Sequence, residues 1–357
     1  MRICFFCVNI SHTGGTERVS SIIANNLAKE GHEVYMMSLV KCEGPAFKLE
    51  DGINTIYLEN GSGDNKKNFI PIVRELKKIN KKYKFDLLVE VDVILRIFTV
   101  LATKRTKTRV ISWEHFNFRT NLGTKLRDIA RKIAARTSDY IVTLTEEDKE
   151  DYEKSLKCKA KVKAISNPLV FYPNEYSNLN NKVVLSVGRM HTQKGFDMLI
   201  EAWAKVKKQD NEWKLRIAGD GDEFEKVKNK AVELQVEDSV EFLGLINNVA
   251  EEYLDASIYV MSSRFEGFPM VLLEAMSFGL PVVSFDCHTG PRDIIKQNED
   301  GLLVSPNDTN KLANQLIKLM KDDELRHDMG RNAKENIKRF SIDNIIKEWN
   351  EILNTLK

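Results

Sequence analysis

No apolar run in this 357-residue chain approaches the ~18–20 residues needed to cross a bilayer, so a helical membrane span is not expected. The opening Met1-Arg2-Ile3-Cys4-Phe5-Phe6 lacks the charged region, long apolar stretch and small-residue cleavage site of a secretory signal, and a cytoplasmic protein is expected. Cysteine is scarce: five residues, an odd number, in a chain large enough to need no disulfide staples. Cys4 and Cys7 have CxxC spacing. Positions i and i+3 of a strand point to opposite faces, which favours two small core residues over a metal or redox pair. Low-complexity tracts are absent, and so is the GxGxxG fingerprint of dinucleotide binding.

What is there is ordinary globular composition, 42% hydrophobic and 30% charged, in a length that suits two domains. The net charge of +2 hides an asymmetry. Residues 1–170 carry 30 Lys and Arg against 21 Asp and Glu, whereas 171–357 carry 24 against 31. A basic first half suits an anionic partner.

Short Val-, Ile- and Tyr-rich runs predict strands at 2–9, 32–39, 54–58, 86–91, 109–113, 140–144 and 162–165. Amphipathic stretches at 17–29, 70–82 and 122–136 separate several of them. Ser166-Asn167-Pro168 breaks the pattern, and the polar stretch 174–181 reads as part of a linker. A second series follows, with strands at 183–187, 214–218, 240–243, 258–261, 281–285 and 301–304 and helices near 310–320, 324–339 and 342–356. Alternation of this kind implies βαβ units and parallel sheets. The expected division is 1–168, a linker at 169–181, 182–340, and a C-terminal helix at 341–357 that packs back on the first domain. Ligands of such α/β sheets bind beyond the carboxyl ends of the strands.

Four loops follow strands. In Asn9 to Arg18 the pair Gly14-Gly15 allows close backbone approach and opens a helix, although a plain tight turn fits as well. In Gly188-Arg189-Met190-His191-Thr192-Gln193-Lys194-Gly195, Arg189 offers a planar fork and Lys194 a compact charge, the pair suited to phosphate oxygens; a solvated basic loop is the alternative. Ala218-Gly219-Asp220-Gly221-Asp222-Glu223 reads as a glycine turn and an acidic helix start rather than a DxD metal site. In Arg264-Phe265-Glu266-Gly267-Phe268-Pro269-Met270-Val271-Leu272-Leu273-Glu274, Pro269 starts a helix. The free amides of Met270 and Val271 then face an anion, while Glu266 and Glu274 remain for hydroxyls. A capped helix with solvated acids is the bland alternative. His115 ends a strand of the first half, where a structural role competes with a ligand contact.

Glu-Gly-Phe-Pro-Met-Val-Leu-Leu-Glu, with Glu266 and Glu274 separated by seven residues, resembles the ExxxxxxxE motif of retaining family-4 glycosyltransferases of the GT-B fold. Val187-Gly188-Arg189 through Lys194-Gly195 is similar to that family's diphosphate loop. Ala218-Gly219-Asp220-Gly221 and Asp300-Gly301-Leu302-Leu303-Val304 are similar to further signatures, and Gly14-Gly15-Thr16-Glu17-Arg18 to the Gly-Gly loop of members that build bacterial surface polysaccharides and lipid-linked glycans. The resemblance implies an α/β protein with two doubly wound Rossmann-like domains facing a cleft. It implies a nucleotide-diphosphate sugar donor, with uridine favoured, and needs no cofactor or metal. Arg189 and Lys194 would bind the diphosphate, Glu274 the ribose and Glu266 the transferred sugar. Gly267, Phe268, Met270 and Val271 would lie beside sugar and phosphates, the base near Leu245 and Ile246, Gly15 beside the diphosphate and acceptor, and His115 near the reacting carbon. Nothing is assigned at Cys287-His288-Thr289-Gly290-Pro291-Arg292, where members vary.

The same resemblance implies front-face attack with retention, the leaving phosphate taking the acceptor's proton. The acceptor would be a glycan or a polyprenyl-diphosphate-linked glycan held by the first half. Basic clusters at Lys77, Lys78, Lys81, Lys82 and Lys84 and at Lys125, Arg127, Arg131, Lys132 and Arg136 predict a peripheral contact with the inner face of an anionic membrane; solvated helix faces are the alternative. A nucleotide-sugar epimerase of the same shape and a non-catalytic nucleotide-sugar sensor are the competing readings. A nucleic-acid binder is disfavoured by the acidic second half and by the lack of a basic groove with interleaved aromatics.

Overall fold

Strands buried on both faces need near-continuous apolar sequence, and a parallel sheet covered by helices buries them so. The computed structural model, which describes residues 1–61, 68–121 and 123–357, has two such sheets. The chain forms two units, Met1–Pro168 with Ile342–Lys357, and Leu169–Ser341.

In the first unit the elements run β1 (Arg2–Cys7), α1 (Gly15–Lys29), β2 (Glu33–Ser38), β3 (Asn54–Tyr57), α2 (Phe69–Tyr83), β4 (Leu87–Val91), α3 (Arg96–Ala102), β5 (Arg109–Trp113), α4 (Lys125–Thr137), β6 (Tyr140–Thr143), α5 (Glu146–Ser155) and β7 (Lys161–Ala164). All pairs are parallel, in the order β3-β2-β1-β4-β5-β6-β7. The order reverses between β1 and β4, which opens a crevice at their carboxyl ends. Every residue of β4 is buried, Glu90 included. That carboxylate is tolerable there because Arg96 (3.1 Å), Ser112 Oγ (2.5 Å) and Thr99 all donate to it.

The second unit runs β8 (Val183–Val187), α6 (Phe196–Lys207), β9 (Lys214–Ala218), α7 (Phe224–Glu233), β10 (Val240–Gly244), α8 (Val249–Asp255), β11 (Ile258–Met261), α9 (Met270–Ser277), β12 (Val282–Phe285), α10 (Pro291–Ile294), β13 (Gly301–Val304), α11 (Thr309–Lys321) and α12 (Asp323–Asn336). The order β10-β9-β8-β11-β12-β13 reverses between β8 and β11. Trp203, Trp213, Phe285 and the aliphatic faces of α6 and α11 fill its core.

The final helix α13 (Ile342–Leu356) belongs to the first unit. Its apolar stripe Ile345, Ile346, Trp349, Ile352 and Leu353 is buried. Trp349 meets Trp113 edge-on at 4.8 Å, and Asn350 donates to Glu30 at 2.9 Å.

The structure differs from the sequence reading in a few places. Residues 169–181 pack on the second unit: the Leu169 amide donates to Phe340 O (2.8 Å), the Ser177 amide to Phe278 O (3.0 Å), and Asn181 Nδ2 to Asp255 Oδ1 (2.5 Å). The helix expected at 122–136 is α4, and Leu122 lies outside the described residues. Helix α1 starts at Gly15 because Gly14, extended at φ −78° and ψ 166°, precedes it directly. Among the described residues no helix is long and apolar enough to cross a membrane.

Candidate active site

In the second unit the two loops that leave β8 and β11, the strands at the switch point, are tied to each other. Lys194 Nζ donates to Glu266 Oε1 at 2.7 Å, and Ser263 Oγ donates to the same oxygen at 2.6 Å. Among the described residues Oε2 of Glu266 has only a long contact from Gln193 Nε2, at 3.4 Å, so one carboxylate oxygen is locked and the other is available to a hydroxyl. Glu266 itself is 6% exposed. The close approach of these loops requires Gly195: at φ 64° a Cβ would stand 2.2 Å from Ser262 O.

Arg264, two residues before Glu266, does not share its surroundings. Its guanidinium forks onto Asp197 at 2.8 and 2.6 Å and donates to Thr192 O at 2.8 Å, so it fastens the β11 loop to the start of α6. Arg189 is exposed, and no acidic partner holds it among the described residues.

Pro269 precedes α9 instead of being its first residue, with φ −74° and ψ 98°. Met270 and Val271 therefore become the first two helical positions, and their amides have no intrahelical acceptor. The helix dipole adds positive potential at the same place. Phe268 is buried edge-on against Phe340 at 5.6 Å. Gly267 is pinned by a neighbour that the sequence reading left unassigned: Thr289 Oγ1 donates to Glu266 O at 2.8 Å, and a Cβ on Gly290 would meet Pro269 Cδ at 2.6 Å and Gly267 O at 3.0 Å. One turn along α9, buried Glu274 accepts from Tyr253 Oη at 3.0 Å. Leu245 is 82% exposed just beyond β10, and Ile246 is half-buried beside it.

The Gly219–Gly221 turn is a backbone support. A Cβ on Gly219 would fall 1.9 Å from Gly188 O, and one on Gly221 would fall 2.5 Å from Met190 O. Only glycine lets β9's exit lie beneath the Arg189 loop. Among the described residues no three His, Cys, Asp or Glu side chains gather as a metal-binding group.

The first unit holds Gly15 and His115. Gly15 is exposed at the start of α1. His115 is buried against Trp113, with ring centroids 4.4 Å apart, and its Nε2 has no hydrogen-bond partner among the described residues. Burial, aided by the charge of Arg127, pushes its pKa down to about 3. At neutral pH the ring is therefore an uncharged donor or acceptor and cannot supply positive charge. In NMR titration His115 is expected to show no protonation between pH 5 and 8; a midpoint above 6 would contradict the burial.

Beneath His115 lies a network absent from the sequence reading. Arg127 forks onto Asp92 at 2.8 and 2.9 Å and reaches Glu114 at 3.3 Å. Arg131 donates to Glu114 at 2.7 Å and to the carbonyls of Phe118, Thr120 and Asn117. Asp92 sits at φ 109°, a strained conformation for a non-glycine residue, at the carboxyl end of β4. The pKa of Glu17, in the first turn of α1, is raised mainly by burial and further by the negative charge of Asp92. One signal for the network was legible: 127, 130, 131 and 134 lie on one helical face with the alanines, which marks both arginines as inward.

Two doubly wound Rossmann-like units with ligand-ready loops at their switch points define the GT-B class of glycosyltransferases. Comparison with known proteins agrees. Residues 13–169 match the Glycosyltransferase Family 4 family model and 170–336 the Glycosyl transferases group 1 model. An uncharacterized glycosyltransferase of Haemophilus influenzae is 36% identical over 99% of both chains. A Campylobacter jejuni enzyme named as an alpha-1,4-N-acetyl-D-galactosaminyltransferase acting on a GalNAc-containing, undecaprenol-linked diphosphate glycan is 31% identical over 100% of this chain and 99% of its own. Sucrose-phosphate synthase from Thermosynechococcus elongatus superposes with a TM-score of 0.87 over 100% of this chain and 99% of its own; at 20% identity that likeness is one of fold. The chain belongs to the family-4 glycosyltransferases.

Proposed function

We propose that this glycosyltransferase is a retaining, metal-independent enzyme. It moves a hexose or N-acetylhexosamine from a UDP-sugar to a glycan or polyprenyl-diphosphate-linked glycan in cell-surface polysaccharide synthesis. The observation that carries the reading is the pairing of the β8 and β11 loops: Lys194 on Glu266 at 2.7 Å, Arg189 without an acidic partner among the described residues, and the open amides of Met270 and Val271.

In sugar transfer the C1–O bond to the diphosphate breaks as the acceptor oxygen bonds to C1. Negative charge grows on the leaving phosphate while the sugar becomes oxocarbenium-like. Arg189, Lys194 and the start of α9 meet that charge with fixed positive groups, which need no reorganisation as it develops. The acceptor proton passes to the leaving phosphate on the same face, so configuration is kept. Glu266 Oε2 takes a hydroxyl of the sugar, and Glu274 takes the ribose. Neutral His115 hydrogen-bonds the sugar near C1. Uridine and the hexose class rest on the family resemblance, and the lipid-linked acceptor rests on the Campylobacter jejuni relative.

The test is a thermal-shift screen over nucleotide sugars with chelator present. A donor at 100 times its Kd adds about 2.7 kcal/mol, a rise of roughly 5–10 °C for a unit of this size. A UDP-sugar is expected to give that rise in EDTA. No shift with any nucleotide sugar would overturn the reading, and a shift that needs magnesium would overturn its metal independence. An isomeric nucleotide sugar formed from donor alone would make the protein an epimerase.

A further inference from the structure

The last helix of the chain returns to the strand that leads to His115. Along the extended segment that leaves β5, successive side chains point to opposite sides of the sheet. Glu114 points to the α4 side, into the arginine network. Trp113 and His115, two positions apart, share the other side, and their ring centroids stand 4.4 Å apart. Trp349 of α13 meets Trp113 edge-on at 4.8 Å. The three rings form one file from α13 to the carboxyl end of β5, where ligands of such a sheet bind.

Among the described residues no hydrogen bond fixes either indole in this file. Trp113 Nε1 and Trp349 Nε1 have no partner there, and His115 Nε2 has none. A buried indole N–H ordinarily finds one. Ring contact therefore sets where each indole lies. Exposure rises along the file, from 0% at Trp349 and 1% at Trp113 to 8% at His115, so its outer end is the one that can meet a ligand.

The inner end is held in place. Helix α13 buries Ile345, Ile346, Ile352 and Leu353 beside Trp349. Asn350 donates to Glu30 at the end of α1 (2.9 Å), and Thr355 Oγ1 shares a hydrogen bond with Tyr140 Oη at the start of β6 (2.9 Å). A core role alone asks only for apolar bulk at position 349. The file asks for a ring, because a flat aromatic edge packs against Trp113 where an aliphatic chain leaves a gap.

We infer that Trp349 is a positioning residue for the transfer: through Trp113 it fixes the plane in which the His115 ring meets the sugar, so the end of the chain completes the reacting part of the first unit. The inference rests on the reading of His115 as a sugar contact. Trp349 itself touches no substrate and acts only by ring contact. Removing its indole leaves a cavity behind Trp113. Trp113 then settles into that space, and His115 loses its backing and gains water. Arg127 of α4 is the charged group that bears on the His115 ring, and β5 faces the ring with the uncharged indole of Trp113.

The test is histidine-ring NMR of the full chain across the neutral pH range, with the His115 signal identified by its absence in H115A. Trp349→Ala is expected to bring a His115 protonation midpoint into that range, because burial and Arg127 hold the wild-type pKa down and the exposed ring returns toward its ordinary value. Trp349→Leu serves in its place if the alanine variant does not fold. Trp349→Phe is expected to keep the wild-type signal, since the ring remains. This arm needs no donor, so it reads out even if the donor reading fails. The second arm is UDP release, with water as acceptor, from the UDP-sugar that gives the thermal shift. Trp349→Ala is expected to lower it about 10²-fold, and Trp349→Phe to restore it. The thermal shift with UDP alone should be kept, because Arg189, Lys194 and Glu266 lie in the second unit. A lower melting temperature with an unaltered His115 signal and unaltered release would make Trp349 a core residue only and overturn the inference. Equal loss in Trp349→Phe would overturn it as well. Wild-type release by H115A would overturn the sugar contact and this inference with it, whereas loss in H115A beside wild-type release in Trp349→Ala would overturn this inference alone.

Discussion

Arg189→Ala is expected to lower turnover by about 10²–10³-fold while leaving the melting temperature unchanged. The activity loss follows from the charge that grows on the leaving diphosphate, which a pre-placed guanidinium stabilises more in the transition state than in the ground state. The unchanged stability follows from the side chain being exposed and without an acidic partner among the described residues. Lys194→Ala provides the contrast. It should lose turnover by a similar factor and also lower stability, because it leaves the buried Glu266 carboxylate with Ser263 as its only short donor among the described residues. Steady-state release of the nucleotide, measured beside thermal melts, separates the two outcomes. Wild-type turnover in Arg189→Ala would remove that residue from the donor site. Equal melting temperatures for the two variants would show that the Lys194–Glu266 pair contributes nothing to the fold.

Glu114→Ala is expected to destabilise the first unit by about 3–5 kcal/mol. Glu114 accepts from Arg131 at 2.7 Å, from Tyr152 Oη at 2.8 Å and from Arg127 at 3.3 Å, and all four side chains are buried. Removing the carboxylate leaves Arg131 with carbonyl partners but no close buried counter-charge. The guanidinium is too enclosed to be rehydrated without opening the α4 packing. Arg127 keeps Asp92, so Arg131 bears most of the loss. Hydrogen–deuterium exchange is expected to show the deprotection in β4, β5 and β6, with the strands of the second unit unchanged. Uniform deprotection in both units, or none, would refute the assignment. Glu146→Ala serves as the control, because its pairing with Lys149 lies at the surface and contributes at most a few tenths of a kcal/mol.

The alternation of strand and helix was legible along the chain because strands buried on both faces carry apolar runs, nearly unbroken at 183–187, 258–261 and 301–304 and broken only by the exposed Arg109 and half-buried Lys214 and Arg216, besides Ser112, at 109–113 and 214–218; all five stand as strands with unchanged bounds. The Glu266-to-Glu274 spacing, the glycines of the Gly219–Gly221 turn and the loop from Gly188 to Gly195 were legible for a related reason. Close backbone approach and helix starts restrict residue type at fixed positions, so they leave a local mark.

What only the tertiary structure decided is which charged groups belong together. In sequence, Arg127 and Arg131 fall in the same basic cluster as Lys125 and Lys132, and only their shared helical face with Ala130 and Ala134 sets them apart; Arg264 stands closer to Glu266 than Lys194 does. Packing turned Arg127 and Arg131 inward onto Glu114 and Asp92, bent Arg264 away to Asp197, and brought Lys194 to Glu266. The physical reason is range. Backbone conformation and strand burial are governed by neighbours along the chain, whereas an ion pair depends on distance in space, and strands remote in sequence set that distance here.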